Sequence, residues 1–179
     1  MIDADRIVRD LQAPGQPVFR AIVARFGPAV VSAAGTLDRA ALRARVFGNP
    51  ESLAALNAIV HPAVKAERDR LEAEAAGRGA AIVVNDIPLL FETGDPGGFD
   101  AVVLVDAPEP IRLERLMSTR GLDRATALAM IAAQSPSGPK RARSTYVIDN
   151  DGEVATLERR ARAVWDQLEA LARRPRSST

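Results

Sequence analysis

Carboxylates and guanidinium groups at a few places in this sequence have the types and spacing needed to move a phosphoryl group. Asp3 and Asp5 flank Ala4 where a short extended stretch gives way to a helical pattern. A carboxylate there would accept the proton of an attacking hydroxyl, the base role in phosphoryl transfer; spacing alone favours Asp5, directly ahead of the helical pattern, as a helix N-cap. Asn85 and Asp86 follow the apolar run AAIVV, and Asp106 follows AVVLV. In open α/β sheets reactive groups collect where strands end, so Asp86 is placed to help hold Mg²⁺ near phosphates, or else to cap a helix or form a turn. Arg112, Arg115, Arg120 and Arg124 lie close together in and after one helical pattern. Guanidinium forks neutralise charge developing on phosphoryl oxygens, although arginines at helical spacing also make ordinary solvated faces. His61-Pro62 reads as a helix start, since proline is favoured at the first helical position.

Composition narrows the chemistry. With 47% hydrophobic and 26% charged residues over 179 positions, the chain is long enough to bury a real core. A formal charge of +1 gives no bulk attraction to nucleic acid, so an anion site must be local. No cysteine and a single histidine exclude a disulfide framework and a thiolate or multi-histidine metal centre. No apolar run reaches membrane-spanning length, and the opening MIDADRIVRD is charged, which predicts a cytoplasmic protein without membrane partners. Only Lys65 and Lys140 are lysines; every other basic residue is arginine.

The elements that must position these groups follow from periodicity. Ile7, Val8 and Leu11 give an amphipathic helix ended by Pro14-Gly15, and Pro17 to Phe26 a second, closed by Gly27-Pro28. Three more helices are predicted over 38–47, 50–60 and 62–76, with Leu53, Leu56 and Val60 as the buried face of the middle one and alternating charges solvating the last. AAIVV at 80–84 and AVVLV at 101–105 read as strands buried on both faces, and Tyr146 to Ile148 as a shorter third. Helices are predicted at 110–119, 123–133 and 154–172, with Trp165 in the core. Strands separated by helices imply one α/β domain over 1–179, a parallel sheet covered on both faces, from which the strandless block 16–78 projects as a helical lobe.

Taken in order, IDADRIVRDLQAPG, TLDRAALRARVFGNP, LNAIVHP, NDIPLLFETG and FDAVVLVDAPEPIRLERLMSTRGL, followed by IAAQ and YVIDNDG, resemble the dephospho-coenzyme A kinase family over nearly the whole chain. That family is similar to nucleoside-monophosphate kinases. It joins a P-loop parallel sheet to a substrate lobe and a lid, and it phosphorylates the ribose 3′-hydroxyl of dephospho-CoA with ATP and Mg²⁺. The resemblance implies Asp5 as the general base with Asp3 beside it, and the helices through His61 and Pro62 as the lobe closing on the CoA moiety. It also implies Asp86, Pro88, Leu89 and Leu90 as the loop closing over substrate, and Arg115 and Arg120 as phosphate-facing residues at the edge of a lid spanning 119–143.

Two departures stand out. The family's GxxxxGK(S/T) loop would precede IDAD, and it is nowhere within these residues: Ala66 follows Lys65, while Pro139 precedes Lys140 and Arg141 follows it. In the lid, Met130 and Ser137 stand where the family often has arginines, and SPSGP is a poor helix former. The resemblance therefore implies a chain entered from a late start, marginally stable and without kinase activity by itself. Two further readings stay open: a non-catalytic remnant or paralogue binding a CoA-like ligand or a partner, and a kinase of another small nucleotide.

Overall fold

The structure, a computed structural model, describes residues 1–93 and 96–174. It contains two compact units, Met1–Pro88 and Leu89–Thr179.

In the first unit the chain runs β1 (Ile2–Asp3), α1 (Ala4–Leu11), α2 (Pro17–Phe26), a 3₁₀ turn at Pro28–Val30, α3 (Arg39–Val46), α4 (Pro50–Gly77) and β2 (Asn85–Asp86). Local chemistry sets the ends. Asp3 adopts an extended backbone and accepts the Arg6 N–H at 2.9 Å, capping α1, with Asp5 in the first turn and Arg9 in the last, where they complement the helix dipole. Pro17 opens α2, and Gly27, at φ +84°, ends it in a backbone region that side chains disfavour. Asp38 Oδ1 receives the N–H groups of Ala40 and Ala41 at 3.0 and 2.9 Å. Val18, Ile22, Phe26, Val30, Leu42 and Val60 form the core, with Ile22 and Val30 fully buried, where α2, α3 and α4 meet. β1 and β2 pair in parallel, Ile2 opposite Asn85 and Asp3 opposite Asp86. Removing the Asp38 cap by Asp38→Ala should cost about 1 kcal/mol and lower the thermal midpoint by roughly 2–4 °C; an unchanged melting curve would show that α3 does not depend on it.

The second unit runs α5 (Leu90–Thr93), a 3₁₀ turn at Pro96–Gly98, β3 (Val103–Asp106), α6 (Glu109–Arg120), α7 (Arg124–Ala132), α8 (Ser137–Ala142), β4 (Tyr146–Asp149) and α9 (Val154–Ala172). β3 and β4 are parallel from Val103–Tyr146 to Asp106–Asp149, so the chain must cross over between them, and α6, α7 and α8 make that crossover. Thr145 clamps the start of the ladder by donating its N–H to the Val102 carbonyl and accepting the Val102 N–H on its hydroxyl. α9 packs on β4 and α6 on α7.

The α/β class with parallel strands agrees with the sequence, as do α2 and α9 to the residue. Several expectations need correction. The ladder at AAIVV begins only at Asn85. Val84 lends a carbonyl to the Ile2 N–H at 2.8 Å, but β1 is two residues long and offers no partner to 80–83. Nor is the AVVLV strand covered on both faces: Val102 is buried, whereas Val103 and Val105 are 36% and 56% exposed. Alternate residues of a strand face opposite sides, and Val103 and Val105 share the more exposed side of β3.

His61-Pro62 does not start a helix, because α4 continues through it. Pro62 removes one backbone bond, and the packing of Ile59 and Val60 ahead of it and Ala63 and Val64 behind it holds the helix across the gap. Leu53 is exposed rather than part of the buried face. Trp165 is 41% exposed, with its indole N–H donated to Glu169, so Val164 and not Trp165 is the core residue there. The SPSGP segment is helical from Ser137; Pro139 falls in the first turn, where a missing N–H has no intrahelical partner to lose.

Candidate functional site

Unit one gathers carboxylates at the C-terminal ends of β1 and β2. Parallel register puts Asp3 and Asp86 side by side, and Asp5 follows one helical step later. The two possible duties at this point are divided between two residues. Asp3, not Asp5, is the N-cap, its carboxylate committed to the Arg6 N–H. Asp5 is exposed, and among the described residues its carboxylate accepts no hydrogen bond, only its backbone carbonyl being engaged, by Arg9 Nε at 3.2 Å. Asp86 is exposed at the end of β2, and Asn85 beside it is tied to α4 by its amide donating to Glu72 at 2.9 Å. His61 and Pro62 lie on the exposed side of α4, and among the described residues no hydrogen bond joins His61 to the three acids. Pro88 and Leu89 are exposed, and Leu90, half-buried, opens α5.

Unit two has its own strand-end cleft, about 390 Å³, lined by Asp106, Pro108, Arg112, Ser137, Arg141 and Asp149 among others. Asp106 and Asp149 terminate β3 and β4 in register. Arg141 of α8 bridges them, donating to Asp149 Oδ1 at 2.8 Å and Asp106 Oδ2 at 3.0 Å, while the Ser137 hydroxyl lies 2.9 Å from Asp106 Oδ1. Hydrogen bonds to Asp149 and to Asp106 raise the Arg141 pKa further above its ordinary value, so this cation stays charged at any working pH. The loop after β4 is held by Arg160, which donates to the Asp149 carbonyl and to Asp151, and by Arg115, which donates to the Asn150 carbonyl at 3.1 Å. Arg115 is thus engaged with the backbone of that loop. Arg120, the last residue of α6, is exposed and has no hydrogen-bond partner among the described residues.

A model of the dephospho-CoA kinase family matches residues 1–156. The chain belongs to the dephospho-CoA kinase family. A dephospho-CoA kinase of Streptomyces avermitilis is 44% identical over 178 residues, spanning 99% of this chain and 86% of that protein. Another, from Deinococcus radiodurans, is 52% identical over 142 residues, 79% of this chain and 68% of that one. The crystal structure of TT1252 from Thermus thermophilus superposes with a TM-score of 0.75 at 37% identity, covering 93% of this chain and 83% of that chain.

As a dephospho-CoA kinase family member, the chain carries more strand-end chemistry than its sequence suggested. Asp149 and Arg141 carry no assignment from the sequence, although the DND that follows YVI obeys the same strand-exit rule as Asp86 and Asp106, while Arg112, from the arginine cluster read in the sequence, does line the cleft. Arg141 carried no local signal, since its partners lie 35 and 8 residues away. Ser137, noted only as a replaced lid arginine, has its hydroxyl within hydrogen-bond distance of Asp106.

Proposed function

We propose that this chain is the catalytic body of an enzyme that transfers the γ-phosphoryl group of ATP to the ribose 3′-hydroxyl of dephospho-CoA, the last step of coenzyme A biosynthesis. The observation that carries the reading is the division of labour at the end of β1: Asp3 caps α1, which leaves the Asp5 carboxylate exposed to take the proton of an attacking hydroxyl. Asp86, Pro88, Leu89 and Leu90 would border the acceptor, and α4 with His61 and Pro62 belongs to the helical lobe, 16–78, that receives the CoA moiety.

The cleft of unit two suits the nucleoside end of ATP. It lies at the C-terminal ends of parallel strands, and its volume falls within the roughly 300–1,000 Å³ of small-molecule sites. Arg120, at the edge of the lid, 119–143, is exposed and free to face phosphates, and Arg115 contributes by holding the Asn150 loop.

Mg²⁺ uses one or two carboxylates together with phosphate oxygens and water. Among the described residues no group of three or more His, Cys, Asp or Glu side chains could hold a metal ion by itself. Asp86 would hold the ion, which when bound offsets charge on the phosphates. As a kinase that draws on ATP, the enzyme is assigned to the cytoplasm; separately, no helix among the described residues is long and apolar enough to cross a membrane.

Thermal shift is the first test. Dephospho-CoA at a hundred times its dissociation constant should stabilise the protein by about 2.7 kcal/mol, and a nucleoside monophosphate at the same concentration should do far less. Equal shifts with both would favour a kinase of another small nucleotide.

A further inference from the structure

α8 is six residues long and includes Gly138 and Pro139, so it is too short and too poor in helix formers to hold itself. Yet it supplies Ser137 and Arg141 to the cleft wall. Its anchor comes from α5. One oxygen, Glu92 Oε1, accepts both the backbone N–H of Ser135 at 2.9 Å and the Lys140 ammonium at 2.7 Å, which clasps the two ends of the span that carries Ser137. The Lys140 and Glu92 side chains are only 11% and 16% exposed, so water and salt screen this pair far less than the surface pairs along α4. Next to it the Arg143 guanidinium lies over the Phe91 ring, 5.5 Å from its centre. Burial pushes the Glu92 carboxyl up, but hydrogen bonds from Lys140 and Ser135 and the Lys140 charge outweigh it and hold the group below the ordinary carboxylate range.

We propose that Glu92 is a positioning residue: through Lys140 and the Ser135 N–H it fixes α8 so that Ser137 and Arg141 keep the cleft in shape, and it thereby sets nucleotide affinity without touching the nucleotide. This rests on the reading that the cleft takes ATP. Glu92→Gln keeps the volume and one acceptor oxygen but leaves the Lys140 charge without its counter-ion. Lys140→Met does the reverse. Each alone raises the KM for ATP about tenfold or more in the kinase carrying a phosphate-binding loop ahead of Met1, with kcat and the KM for dephospho-CoA within about twofold. The double variant Glu92→Gln/Lys140→Met, which leaves no buried charge and still accepts the Ser135 N–H, recovers most of the loss.

In the 179-residue chain, with no nucleotide present, Glu92→Gln speeds amide exchange at Arg143 and Ser144, which close the last turn of α8, at least tenfold, and leaves Ile22 unchanged. Unchanged exchange overturns the clasp whatever the cleft binds. Effects of the two single changes that add in the double overturn the pairing. If Arg141→Ala does not alter the KM for ATP, the cleft reading fails and the affinity role fails with it, while the exchange result still decides the clasp.

Discussion

Replacing Asp5 by Asn lowers kcat by about 10²–10⁴-fold while dephospho-CoA binds within about twofold of its normal affinity, measured in the protein carrying a phosphate-binding loop ahead of Met1. The size follows from what a positioned base contributes when it takes a proton in the transition state, and the selectivity from the geometry of α1. Asparagine has the shape of aspartate but cannot accept the proton. Because the cap of α1 belongs to Asp3, the Asp5 change leaves the Arg6 N–H satisfied and the helix start intact. Asp3→Asn is the control. Asparagine caps as well as aspartate, so stability holds and the rate falls much less, since Asp3 is the residue committed to the backbone. Turnover that survives Asp5→Asn would remove Asp5 from the mechanism.

The second large effect concerns the phosphates. A chain made of these 179 residues alone should phosphorylate dephospho-CoA more than about 10³-fold more slowly than the same chain preceded by a GxxxxGK(S/T) loop, because deleting even one preorganised donor to developing charge costs 10²–10³-fold and the loop supplies several. Nothing among the described residues substitutes for its lysine. Of the only two lysines, Lys65 pairs with Asp69 at 2.5 Å one turn along α4, and Lys140 pairs with Glu92 at 2.7 Å in the clasp of α8. Arg120 is open, but one guanidinium at a helix end does not reproduce a cradle of backbone N–H groups. Turnover of the 179-residue chain at a rate equal to that of the extended protein would refute this.

How much of this was legible beforehand depended on whether the controlling interactions are local. The bounds of α2 follow from Pro17 and Gly27, and those of α9 from an unbroken period of apolar residues, so both were readable. Asp86 and Asp106 were readable for the same reason, since each lies just after an apolar run, whereas Asp149, in the same place after YVI, was passed over. Which of Asp3 and Asp5 caps the helix was not, because either can sit before the first turn and a one-residue shift in helix start decides between them. α4 passed unseen through Pro62 because the packing that tolerates the proline comes from α2 and α3, far away in sequence. The strand faces at Val103 and Val105 were misread because an apolar run reports hydrophobicity, not whether anything lies opposite it. Arg141 and Glu92 were invisible for the plainest reason: their partners lie up to 48 residues away, and a charge pair has no sequence period.

The most direct test is to incubate the protein carrying a phosphate-binding loop with dephospho-CoA and γ-labelled ATP and to locate the label in the product. The label is expected on the ribose 3′-oxygen, giving coenzyme A and ADP, and Asp5→Asn should transfer it about 10²–10⁴-fold more slowly. Label on a nucleoside monophosphate supplied in competition, or on any other hydroxyl of dephospho-CoA, would contradict it.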